Sequence, residues 1–290
     1  MAEAHKLDSS ARPLLAVDGD NFAHRSYHAL PKSIRRADGG PAGLLTGVGN
    51  LLVRLWEEES PRAVLVAWDT LTVPTYRHVE LESYQAGRVF DKDLLEQLDL
   101  APQLVDAMGL ANGKGDGYEA DDFLAAAVAH EEARGGRTLL ASGDRDMFQL
   151  ASELTTILQP QRGGGVLTRI GPPEVRERYG VEPKQVPDFI ALRGDPSDKI
   201  PGARGVGPKS AADVLRRYGS LEAALADGRF AAEAEALRLY LRVATMDAEA
   251  PLPPLEDQTP TWGRAAELTR DWGLRRLSER LAALEASSSS

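Results

Sequence analysis

The chain contains no cysteine. Disulfides and thiolate metal sites are therefore excluded. No apolar run approaches the ~20 residues that a bilayer-spanning helix needs. The opening stretch "MAEAHKLDSSARP" is polar and has no apolar h-region, so it is not expected to be a signal peptide. Neither H-E-x-x-H nor G-x-x-x-x-G-K-[ST] occurs, which removes the zinc-protease helix and the Walker phosphate loop. Internal repeats and coiled-coil heptads are absent as well. Positive charge is in deficit: 34 Lys and Arg stand against 44 Asp and Glu, for a net charge of −10. That balance alone speaks against a nucleic-acid partner. What is present is ordinary for a globular protein, with 42% hydrophobic and 27% charged residues over a length of 290. Such a length suffices for one large domain or a domain with a lobe. A cytoplasmic monomer without a membrane association is the expectation.

Three short apolar runs read as buried parallel strands: "LLAVD" (14–18), "AVLVAWD" (63–69) and "TLLASGD" (138–144). Each shows little polar alternation, as expected of a strand covered on both faces. Each ends in an aspartate: Asp18, Asp69 and Asp144. The gaps allow helical crossovers. One lies at 44–59, with Leu44, Leu45, Val48, Leu51, Leu52 and Leu55 along a face, and another at 119–134. In an open parallel sheet, ligands bind beyond the carboxyl ends of the strands. The second helix opens with Glu119, Asp121 and Asp122 in "GYEADDF". One acid at a helix start answers its unpaired N–H groups and macrodipole. Three exceed what capping needs. They are expected to join Asp18, Asp69, Asp144 and Asp146 at one edge. Asp20 is ambiguous between that cluster and a turn.

Two unit charges 4 Å apart repel by about 4 kcal/mol at an effective dielectric near 20. Converging carboxylates must therefore hold protons or cations. An oxygen-only donor set suits the hard ions Mg²⁺ or Mn²⁺. Two such ions form a known device for phosphodiester hydrolysis.

The second half contains "RGDPSDKIPGARGVGPKS" (193–210), followed by the helical stretch "AADVLRRYG". Asp195 and Asp198 add two acids. Gly205-Val206-Gly207 before a basic helix start presents backbone N–H groups to a phosphate. Lys199, Arg204, Lys209, Arg216 and Arg217 concentrate here.

In order and spacing, "VDGDNFAHRSYHAL" (17–30), "VAWD" (66–69), "RH" (77–78), "YQAGR" (84–88), "GYEADD" (117–122), "SGDRDMFQL" (142–150), "LRGDPSDKIPGARGVGPKSA" (192–211) and "YGSLEAAL" (218–225) resemble the bacterial 5′-nuclease, flap endonuclease-like family. That family also forms the N-terminal domain of bacterial DNA polymerase I. The resemblance covers roughly residues 14–230.

It implies an α/β fold: a mostly parallel central sheet flanked by helices, a PIN-like 5′-nuclease core, with a C-terminal helical DNA-binding region. The core is expected over 1–190, with an arch for a 5′ single strand at 71–115. The stretch "ANGKGDG" (111–117) is read there as a mobile loop. A helical lobe is expected over 191–286, with a helix-hairpin element at 200–219, and a disordered tail over 287–290. One metal would be held around Asp18, Asp69, Glu119 and Asp121, with Asp122 and Asp144 nearby. A second would involve Asp144, Asp146, Asp195 and Asp198. Arg25 and Arg88 match positions that contact the scissile phosphate. Tyr84, Arg88, Lys199, Arg204, Gly205, Gly207, Lys209 and Ser210 would contact DNA, with K⁺ a candidate ion at the helix-hairpin.

The implied activity is 5′-3′ exonuclease and 5′-flap endonuclease cleavage with two divalent metal ions, in primer removal and repair. The substrate would be flapped or branched DNA, RNA–DNA primer junctions included. The chain ends without a polymerase-sized extension, so a polymerase is expected to act in trans. One departure stands out: Gln85 occupies the position where the family usually has lysine. A loss of rate is the expected consequence. Gly143 replaces a larger residue and is read as a packing difference. Two other readings remain: a catalytically weakened DNA-binding paralogue, suggested by Gln85, and a haloacid dehalogenase-like phosphatase. The latter would use the D-x-D of "VDGDN" with Asp18 as nucleophile, but it explains neither Asp69 nor "YEADD". Farther on, Leu237, Leu239, Leu241, Val243, Leu274, Leu277 and Leu281 are read as core.

Overall fold

The computed structural model describes residues 12–161 and 166–288. Most of the polar N-terminal stretch and residues 289–290 lie outside them. All three expected strands form. They are β1 (Leu14–Asp18), β2 (Ala63–Ala67) and β4 (Thr138–Ala141), joined in the sheet by β3 (Ala111–Gly113), β5 (Thr155–Pro160) and β6 (Leu167–Ile170). The strand order is β3-β2-β1-β4-β5-β6. All neighbours are parallel except β6, which turns back antiparallel on β5. β1 is central, with Leu14 opposite both Ala63 and Thr138. The chain order reverses between β1 and β4, and the crevice at such a reversal is where open parallel sheets bind ligands.

Period-two alternation sends β1 side chains to two cores. Leu15 and Val17 pack with α1 (Gly19–Ala29), α2 (Gly43–Glu59) and α4 (Lys92–Ala107). Ala16 faces α5 (Ala120–Ala133) and the elements beyond β6. These are α6 (Pro172–Tyr179), α7 (Val186–Arg193), α8 (Pro208–Tyr218), α9 (Leu221–Ala226) and α10 (Ala234–Ala244). The chain then crosses back. α11 (Trp262–Asp271) and α12 (Arg275–Ser288) bury Trp262, Leu277 and Leu281 against the α2 and α4 side.

Three sequence expectations change here. The segment 191–286 does not form one lobe, because its last two helices complete the opposite core. The arch does not extend through 71–115, because α4 buries Leu94, Leu98, Ala101, Leu104 and Val105, and residues 111–113 form a sheet edge with Gly113 buried. Only the stretch before α4, with the short α3 (Tyr76–Glu80), overhangs the carboxyl edge. The tail expected over 287–290 is helical at its first two residues, because α12 continues through Ser288, and 289–290 lie outside the described residues. The apolar positions of α10 and α12 are core as expected, with Leu239 and Leu241 only partly buried. Among the described residues, no helix is long and apolar enough to cross a membrane.

Candidate active site

The carboxyl ends of β1, β2 and β4 open into a cleft of about 400 Å³. Asp18, Asp20, Asp69, Glu119, Asp121, Asp144 and Asp198 line it, with Arg25, Gln85 and Arg88 at its rim. A second cleft shares Asp144 with the first and continues past Asp146, Arg193 and Asp195 to the start of α8. The two acid groups read from sequence therefore meet at Asp144.

Asp18 ends β1 and caps α1. Its Oδ1 accepts from the Asn21 N–H at 2.9 Å and its Oδ2 from the Ser142 hydroxyl at 2.6 Å. Burial pushes its pKa up to about 7, with the charges of Asp144 and Asp69 adding to the rise and the two hydrogen bonds opposing it. Asp69 accepts from the Ala120 N–H at 2.8 Å and so fixes the start of α5. Asp20 joins the site: its Oδ2 accepts from the Asp69 N–H at 2.7 Å, and burial raises its pKa. Glu119 stands just before α5. It accepts from the Thr75 hydroxyl at 2.9 Å and the Tyr84 hydroxyl at 3.0 Å. Burial pushes its pKa up to about 7 against the attraction of Arg77. Asp121 is also raised, by burial and then by Asp144 and Asp18.

In the second group, burial is again the first cause of raised pKa values. It acts on Asp144, Asp146 and Asp198, with like charges adding to each. Asp195 accepts from Ser197 through its N–H and hydroxyl and pairs with Arg193 at 2.9 Å. Asp198 Oδ1 accepts from Gln85 Nε2 and from Arg88, each at 3.1 Å. Gln85 also donates to the Tyr84 hydroxyl at 3.0 Å. One amide thus links Asp198 to Glu119 through Tyr84.

Asp122 is not placed as a metal neighbour. It is fully buried, and Arg77 takes both its oxygens, at 2.8 and 2.7 Å. The N–H groups of Glu119 and Asp247 fill its remaining positions. The first turn of α5 sends Asp121 to the cleft and Asp122 to this anchor. Tyr84, expected on a DNA surface, is 4% exposed and supports Glu119 instead. Sequence reasoning gave no role to Ser142, Thr75, Asn21 or Arg77. The "SGD" and "RH" motifs carried the signal for two of them; Thr75 had none. At Gly143 the packing is tight. Its N–H donates to Asn21 Oδ1 at 3.1 Å, and a Cβ there would lie 2.7 Å from that oxygen.

Beyond Asp198 the surface turns basic. Lys199, Arg204, Gly205, Gly207, Lys209 and Ser210 are all exposed. Gly205 has φ +73°, a conformation that glycine adopts without strain. α8 starts at Pro208 with no side-chain cap, so its first N–H groups face outward.

Among the described residues, no three carboxylates converge tightly enough to make a ready metal cage. The donor set still fits hard divalent cations: it is all oxygen, and desolvation first, with neighbouring like charges adding, makes its ionised form costly without a cation.

Comparison with known proteins places the chain in a family. The model of the 5′-3′ exonuclease N-terminal resolvase-like domain matches residues 13–180, and that of the 5′-3′ exonuclease C-terminal SAM fold matches 181–262. DNA polymerase I of Mycobacterium tuberculosis is 38% identical over 222 residues, covering 76% of this chain and 24% of that protein. DNA polymerase I of Deinococcus radiodurans is 39% identical over 223 residues, covering 77% and 22%. The chain thus spans about a quarter of the length of these relatives. The 5′-exonuclease of phage T5 with bound zinc superposes with a TM-score of 0.69 at 19% identity, covering 94% of this chain and 99% of that one. The catalytic core of Rad2 in complex with DNA gives 0.60 at 14% identity, covering 95% and 94%. With the family models spanning both halves of the cleft, the chain belongs to the 5′-3′ exonuclease family.

Proposed function

We propose that this chain is a structure-specific 5′-3′ exonuclease and 5′-flap endonuclease that hydrolyses DNA phosphodiesters with two divalent ions, Mg²⁺ or Mn²⁺. The observation that carries the reading is the acid cleft at the β1/β4 reversal, bordered by an exposed glycine-rich helix start. Asp18, Asp69, Glu119 and Asp121 would hold one ion, and Asp144, Asp146, Asp195 and Asp198 the other. When bound, the ions supply water activation and neutralise the leaving oxygen.

The chain's own groups do the positioning. Ser142 and the Asn21 N–H fix both oxygens of Asp18, and Thr75 and Tyr84 fix those of Glu119. Arg25 and Arg88 stand at the rim, where they would orient the scissile phosphate. Gly205, Gly207, Lys209 and Ser210 would grip the duplex backbone, with K⁺ as a candidate ion there. Cleavage near the single-strand/duplex junction would leave a 5′-phosphate and a 3′-hydroxyl. Primer removal and repair beside a DNA polymerase are the roles this activity serves.

The phosphatase reading gains no support, because both family models that match the chain are 5′-3′ exonuclease models. A DNA-binding paralogue without cleavage is the second reading, and Gln85 is the residue that favours it. Cleavage of a 5′-labelled flap duplex with Mg²⁺, Mn²⁺ or chelator, beside a binding assay, separates the two. Short 5′ fragments only with divalent metal support the nuclease. Tight binding without product in either metal supports the paralogue.

A further inference from the structure

The two acid groups are neutralised differently. In the first, Asp18 and Asp69 accept only from a hydroxyl and backbone N–H groups, and Glu119 has the buried Arg77 beside it at 3.4 Å. In the second, two carboxylates carry a guanidinium each. The Arg193–Asp195 pair is local, two residues apart. The Arg88–Asp198 pair joins segments 110 residues apart. It sits in a seam between the overhanging segment and the 195–200 loop. The Gln85 N–H donates to the Asp198 carbonyl at 3.3 Å, and Lys199 Nζ donates to the Ala86 carbonyl. Side-chain exposure is 43% for Arg88 and 17% for Asp198. Arg88 therefore faces the cleft mouth while it neutralises a carboxylate set deeper. Gln85 would keep Asp198 oriented after Arg88 left, but without charge.

We propose that Arg88 is an exchangeable counter-cation. It occupies Asp198 until a DNA phosphate draws its guanidinium away, and Asp198 is then free to serve the second divalent ion. The inference rests on the nuclease reading above. A guanidinium matches phosphate geometry at least as well as carboxylate geometry, so the exchange has a favourable acceptor. By linkage, phosphate binding at Arg88 and cation binding at Asp198 must then each favour the other.

Two titrations test this, and neither reads cleavage. The first follows free Mn²⁺ by electron paramagnetic resonance as it binds protein without DNA. Arg88→Ala should tighten the weaker site about two- to fivefold, the size of a partly exposed ion pair. Arg25→Ala is the control, because Arg25 lines the same cleft but donates to the Gln161 carbonyl rather than to an acid. The second measures flap-duplex binding in EDTA. Asp198→Asn should tighten binding by releasing Arg88, and adding Arg88→Ala should abolish that gain. Asp121→Asn likewise turns a cleft carboxyl into an amide, but without touching Arg88, and should give a smaller gain. Equal effects of Arg88→Ala and Arg25→Ala, or of Asp198→Asn and Asp121→Asn, would overturn the exchange while leaving the nuclease reading intact. A wild-type protein that binds no Mn²⁺ at all would overturn the two-metal reading itself.

Discussion

The acid cleft and the basic loop after it are built on opposite plans. In the cleft, the acids are recessed to differing depths, from buried Asp18 and Glu119 to exposed Asp144, and Asp18 and Glu119 each have both oxygens fixed by a named donor. Along residues 199–210, the cations are exposed, and the geometry is carried by the backbone through the positive φ of Gly205 and the uncapped start of α8. Chemistry on a phosphate needs preorganised charge away from water. Grip on a duplex needs accessible charge and N–H groups. The contrast dissolves the problem posed by a net charge of −10. Nine of the 44 acids are gathered where cations would neutralise them, and a DNA substrate would meet the local surface rather than the sum.

If the division is right, the two regions fail differently. Asp18→Asn gives the largest expected effect. The single-turnover rate should fall by orders of magnitude, while flap binding in chelator and the folded circular dichroism spectrum stay near wild type. Full activity in this variant would remove Asp18 from the ion set. Lys209→Ala should do the reverse. Binding weakens uniformly across sequences, and the salt slope of log K falls by about 1. The rate at saturating DNA should hold. A lost rate at saturation would mean that loop and cleft do not work separately.

Gln85 lies on the border between the regions, and the expected effect there is smaller. Its amide serves Tyr84 and Asp198 together. Gln85→Lys would put an ammonium between two acid groups that now share a neutral donor. The single-turnover rate should rise several-fold with little change in DNA affinity. An unaltered rate would show that the amide already suffices.

How far the sequence foretold this site depends on the range of each contact. The three strand-end aspartates were legible because parallel strands announce themselves as unalternating apolar runs, and topology then fixes their common edge. The resemblance puts Asp121 in the first ion set and Asp122 only nearby, without a physical reason for the difference. What separates them is Arg77, 45 residues away, and no local pattern carries that contact. The expected arch runs too far through 92–107, where Leu94, Leu98, Ala101 and Val105 have the helical spacing of a buried face. The return of α11 and α12 was illegible for another reason. Periodicity gives Leu277 and Leu281 an apolar face but does not say which side of the sheet it covers.

The last prediction concerns stability, where the two regions should again part. Asp18 and Glu119 have folded-state pKa values near 7, against ordinary values of 3.8 and 4.5. Burial is the first cause in both. In chelator, the folded protein keeps protons on these groups that the unfolded chain has already released between about pH 4 and 7. The unfolded state then binds fewer protons, so stability falls as pH rises across that window and levels off above it. A drop in Tm on the order of 5 °C is expected between pH 4.5 and 7.5 in EDTA. Mn²⁺ should shrink it, because a cation favours the charged carboxylates. Asp18→Asn should also shrink it, because the amide does not titrate. Lys209→Ala should leave it unchanged, since the exposed loop holds no buried acid. A Tm that stays flat across the window in EDTA would mean that the cleft does not concentrate uncompensated charge, and the case for cations there would lose its electrostatic footing.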